Sequence, residues 1–84
     1  MIQKPEVGAT YRHFKSTTEK PVLYLVRGFV THSETEEELV LYEARYGGDF
    51  GKLWVRPLVS WCGEVDRPEY AYKGPRFTKV EPKD

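Results

Sequence analysis

YLVRGFVTHSETEEELVLYEARYGGDFGKLWVRPL, residues 24–58, holds three runs of aliphatic, β-branched and aromatic residues separated by two turn-forming segments. Runs of this kind, bounded by polar or glycine-rich punctuation, read as strands. Val22–Thr31 is the first long one. By the two-residue period of a strand, Val22, Tyr24, Val26, Gly28 and Val30 share one face, and Leu23, Leu25, Arg27, Phe29 and Thr31 the other. Apolar side chains on both faces suit a curved strand in a two-layer or closed structure. Gly28 has no side chain to pack and marks a bulge or bend. In His32–Thr35 the hydroxyls bond nearby backbone groups, so the segment reads as a turn. Glu36–Tyr46 returns antiparallel, with Val40, Tyr42, Ala44 and Tyr46 on one face and Leu39, Leu41, Glu43 and Arg45 on the other. Gly47–Gly51 is a hairpin connection. Leu53–Arg56 is the third strand, with Val55 in the core and Trp54 and Arg56 opposite, and Pro57 ends it because proline has no N–H to give the ladder.

The flanks supply a lead-in and a closure. Met1–Gly8 is a polar leader expected to be disordered before a turn, Thr10–Lys15 a short strand with Tyr11 and His13 on one face, and Ser16–Pro21 a loop. Leu58, Trp61, Cys62 and Val65 follow an i, i+3, i+4, i+7 pattern, which Gly63 limits to one helical turn. Asp66–Gly74 reads as loop, Arg76–Val80 as a last short strand, and Glu81–Asp84 as a frayed end. The expected fold is mainly β: a small SH3-like barrel of about five short strands with one short helical turn before the last. An open α+β meander is the alternative.

The 84 residues fit a single domain, 1–84, with an ordered core at about 8–80. A chain this short has a small core, and 14% aromatic residues make it efficient. The single cysteine, Cys62, excludes an intramolecular disulfide and argues against a structural zinc site. With no apolar leader and no apolar run beyond Val22–Val26, a cytoplasmic location away from membranes is expected. Thirteen basic and thirteen acidic residues balance, which removes the global electrostatic case for nucleic-acid binding. Locally, however, the basic residues lie outside the acidic block 34–38. Near-zero net charge also leaves little self-repulsion, so homodimerisation is compatible with the sequence.

Taken together, YRHFK (11–15), VRGFVTHSET (26–35), EELVLY (37–42), LWVRPL (53–58) and PRF (75–77) resemble the bacterial domain-of-unknown-function family 1653. The resemblance spans roughly residues 8–78. It implies a small, mostly β cytoplasmic domain and no particular activity. The longer first loop, Ser16–Pro21, and the Trp61–Gly63 segment depart from the family pattern.

The side chains with chemistry to offer are Arg12, His13, His32, Ser33, Glu34, Arg56 and Arg76. Arg56 beside Trp54 could clamp an anion or stack on a ring, or pair with Glu38 or Glu43 across strands. His13 and His32 lack the spacing of a metal motif, and a hydrogen-bonded His32 that fixes its turn is the simpler reading. Ser33 beside His32 gives no triad geometry. Cys62 reads as a small buried hydrophobe. Catalysis is therefore the weaker class, with a metal- or histidine-dependent hydrolase as its form, and no cofactor is implied. The expectation is a binding module whose ligand contacts are Arg12, His13, His32, Ser33, Trp54 and Arg56. Its partner would be a protein, a nucleic acid or a small anionic molecule. A homodimer through Leu23, Leu25, Leu39 and Leu41 is the alternative.

Overall fold

In the computed structural model, residues 4–80 are described; the expectations for 1–3 and 81–84 lie outside them. The elements are β1 (Thr10–His13), β2 (Leu23–Thr31), β3 (Glu38–Ala44), β4 (Leu53–Pro57), α1 (Leu58–Trp61), β5 (Glu64–Arg67), β6 (Tyr72–Pro75) and β7 (Phe77–Lys79). Five strands form one antiparallel sheet in the order β4-β3-β2-β1-β7, and β5 pairs with β6 separately. The protein is thus mainly β, as the alternation of its strands requires. The large sheet is open rather than a closed barrel, because its end strands β4 and β7 do not pair with each other. The chain leaves β4 straight into α1, whose buried Leu58 and Trp61 fill that side with rings and methyl groups instead of a ladder.

The 24–58 unit forms as its sequence demands, with one change of face. Val26 sits opposite Tyr42, but Gly28 sits opposite Leu41, so the register slips by one residue between them. A bulge of this kind turns every later side chain to the other side of the sheet. Phe29 therefore joins Tyr24 and Val26 against the core, while Val30 turns outward. This corrects the unbroken alternation expected along β2. Gly28 marks the bulge, and the two-residue period does not run across it.

Register also corrects the third strand. Arg56 pairs with Val40 and Trp54 with Tyr42, and both of those residues lie in the core. Directly opposed residues point to the same face, so Trp54 and Arg56 stand on the core side at the sheet edge. Val55 points outward and is 52% exposed. Its valine side chain had suggested a core position, but the pairing decides the face.

Two short strands and a 3₁₀ turn replace the loop expected at 66–74. β5 and β6 pair antiparallel, with Pro68–Tyr70 between them. Only Val65 of this hairpin is buried, so there was no apolar alternation to find. The helical pattern 58-61-62-65 still identified the right side chains: Leu58, Trp61 and Val65 are buried, although Val65 belongs to β5.

The core is ring-rich. Trp61 stacks on Phe77 with centroids 3.8 Å apart and 8° between planes. Tyr42 meets Trp61 at 5.0 Å, and Tyr24 meets Tyr42 edge-on at 4.9 Å. No helix among the described residues is long and apolar enough to cross a membrane.

Candidate functional site

Ser60, on α1, joins two guanidinium groups. Arg56 Nη1 donates to its hydroxyl at 3.1 Å, and Arg76 Nε donates to its carbonyl at 3.3 Å. The strand end of β4 and the residue before β7 are brought together in this way, twenty residues apart in sequence. Arg56 lies over the Phe77 ring, 5.4 Å from its centroid. His13, from the end of β1, meets the same ring edge-on at 5.2 Å. Phe77 is thus the apolar floor under Arg56 and His13.

Among the described residues, no carboxylate pairs with this cluster. Among the described residues, Arg56, Arg76 and Lys15 form no ion pair; Glu38 is taken by Lys4, and Glu43 by Arg27 and Arg45. The cross-strand pairing of Arg56 with Glu38 or Glu43 is therefore not made. Arg56 Nε is buried without a hydrogen-bond partner. A charged donor kept from water and left unpaired carries a desolvation cost. The fold bears that cost at this point and nowhere else among its described buried side chains.

The electrostatics agree. Burial lowers the His13 pKa to about 4, helped by the positive charges of Arg56, Lys15 and Arg76. Burial also lowers that of Arg76, with Arg56 and Arg67 adding repulsion. His13 is neutral at pH 7, and its Nδ1 accepts the Lys15 N–H at 3.1 Å, so the ring proton sits on Nε2. The Tyr24 hydroxyl shifts upward through burial and its contact with Tyr46. Burial likewise raises Cys62, which makes it a poor nucleophile.

Of the six expected ligand contacts, only His13 and Arg56 meet on one ring. Trp54 stands at the edge with Lys52 Nζ 4.4 Å from its ring centroid. Arg12 is exposed on the face of β1 away from His13. His32 Nδ1 accepts the N–H groups of Glu34 and Thr35 at 3.1 and 3.3 Å, so it braces the 32–35 turn, beside an exposed Ser33. Among the described residues, no three His, Cys, Asp or Glu side chains gather where they could hold a metal. A cleft of about 450 Å³ lies elsewhere, between Glu6–Thr10 and Lys79–Val80, and the Lys79–Glu6 ion pair stands at its wall. Ser60, Phe77 and Lys15 were not picked out from the sequence. Ser60 meets Arg56 four residues before it, but its link to Arg76 and the places of Phe77 and Lys15 depend on β7 returning beside β1, which no local pattern announces.

The model of a family described as a protein of unknown function, DUF1653, matches residues 9–79. The chain belongs to this family. No curated protein and no solved structure matches it. The DUF1653 match contains the whole cluster: His13, Arg56, Ser60, Arg76 and Phe77.

Proposed function

We propose that this DUF1653 domain is a non-enzymatic binding module that takes an anionic group at Arg56, Ser60 and Arg76, beside His13. The carrying observation is the pair of guanidinium groups held on Ser60 with no carboxylate among the described residues paired to them, one with a buried unpaired donor. Guanidinium forks match the oxygens of a phosphate or carboxylate. Against catalysis, the cluster lacks a nucleophile paired with a base, since His13 Nδ1 is occupied by the backbone. An SH3-like reading of the fold is supported by the meander order, in which the last strand returns to pair with β1.

Titration of ¹⁵N-labelled protein with inorganic phosphate tests the proposal. Saturable shifts of the Ser60, Arg76 and Phe77 amides are expected. Absence of any such shift rejects it.

A second reading is self-association. Leu39 is buried and Leu23, Leu25 and Leu41 are half-buried, but the unpaired edge strand β4 exposes Leu53 and Val55, with Val59 following on α1. An apolar edge of this kind is a template for a second copy. Sedimentation at micromolar concentration reads it: a dimer that Val55→Lys dissociates supports this reading, and a strict monomer ends it.

A further inference from the structure

Beside the guanidinium pair lies a surface built of rings and cations. Phe14, just after β1, is its centre. Tyr72 stacks beside Phe14 at 5.7 Å, and Tyr70 meets it edge-on at 5.8 Å. Lys15 Nζ lies 5.8 Å from the Phe14 centroid and 5.6 Å from that of Tyr70. The Arg67 guanidinium lies 5.9 Å from Phe14. Tyr70 is 49% exposed, at the end of the 3₁₀ turn, followed by Ala71 in the left-handed region with φ 51°. The Phe14 N–H donates to the Arg76 carbonyl at 3.0 Å, which places Phe14 beside Arg76. His13 touches Phe14 at 4.5 Å and Phe77 at 5.2 Å, and so bridges the two.

We infer that the partner of this surface is single-stranded nucleic acid, with a backbone phosphate at Arg56 and Arg76 and bases stacked on Tyr70 and its neighbouring rings. The inference rests on the anion-site reading above. An exposed ring, Tyr70, backed by the half-buried Phe14 and Tyr72 and interleaved with cations, is what base stacking and backbone neutralisation together require. An acidic peptide would satisfy the cations but give the rings nothing to do. A duplex hides its base faces and would meet the cations alone. The chain's zero net charge limits the electrostatic part to this one patch, so few phosphates are neutralised.

Fluorescence anisotropy of a labelled oligonucleotide of about a dozen nucleotides, in RNA and DNA forms, provides the test. Saturable binding is expected, weakened about fivefold or more by Tyr70→Ala, whose exposed ring is outside the core. With one phosphate at Arg56 and Arg76 and a second at Lys15, the slope of log affinity against log salt should be about −1.4. Affinity unchanged by Tyr70→Ala overturns the inference, as does equal affinity for duplex or full competition by poly-glutamate. If inorganic phosphate shifts Ser60 and Arg76 but no oligonucleotide binds, this inference falls and the anion site stands. If neither binds, both fall.

Discussion

Arg56 is the residue at which stability and function should separate. Its Nε is buried and unpaired, and Arg76 lies on the same serine, so in the unliganded fold the charge is a liability. Replacing a desolvated ion by an apolar side chain of similar length is often neutral or stabilising. Arg56→Met keeps the stem over Phe77 and discards the charge. Its urea-unfolding free energy should stay within about 1 kcal/mol of the parent, while the melting-temperature increase caused by phosphate disappears. A loss above about 2 kcal/mol would make Arg56 a structural residue. His13 gives a second residue-scale test. Its folded pKa, about 4, lies below the ordinary 6.5, so between these values the unfolded chain binds more protons. Stability is then full above pH 6.5, declines as pH falls through the window, and levels off below about 4. Allowing for solvent screening, the loss should be on the order of 1–2 kcal/mol. His13→Asn should flatten the pH dependence of urea midpoints in that window; an unchanged slope would assign it to other groups.

Turns and strands carry their own prediction. The β3–β4 connection contains Gly47–Asp49 as a 3₁₀ turn, and Gly51 closes it with φ 90° while its N–H donates to Ala44 at 2.8 Å. Gly48 lies in the same loop without a positive φ, and open space surrounds the Cβ position of both. Gly51→Ala should therefore cost about 1 kcal/mol through backbone conformation alone, and Gly48→Ala close to nothing. Equal urea midpoints for the two variants would defeat this account. The hairpin itself was legible because its signals are local: alternating apolar residues, glycines between them, and a proline at the strand end. Gly28 announced the bulge for the same reason. What a bulge does to Phe29, and which way Val55 faces, depend on pairing with β3, and a single strand's composition does not record its partner's register. The β5–β6 hairpin escaped notice because it buries only Val65 and leaves no apolar period to read. The candidate site was half legible. His13, Arg56 and Arg76 stand out in the sequence, and Ser60 lies only four residues after Arg56, but the meeting of Arg76 with Ser60 and the Phe14 platform are assembled by long-range closure.

Closure of the molecule falls to β7, three residues that pair only with β1. The backbone contribution of so short a strand is small, so its buried ring must hold the end of the chain in place. Phe77 is 7% exposed, stacks on Trp61, and meets His13, Tyr24 and Arg56. Among the described residues, the core side chains with no exposure are Val26, Val40 and the small Ala44, so the remaining core is a ring assembly around Phe77 rather than a deep aliphatic interior. Removing that ring leaves a cavity that Trp61 and Tyr42 are too rigid to fill. Phe77→Ala should cost about 3–5 kcal/mol, a large share of the 5–15 kcal/mol that stabilises a typical domain. Its melting temperature should fall by roughly 12 °C or more. Tyr70→Ala, which removes a ring of similar size from the surface, should leave melting within a few degrees of the parent. Circular dichroism melts of the two variants separate the roles. Comparable losses would mean that the Phe14–Tyr70–Tyr72 rings are part of the packed interior and not a surface kept for a partner. A large loss at Phe77 alone would show that the fold depends on the Phe77 ring and not on that of Tyr70, which leaves Tyr70 available to the proposed partner.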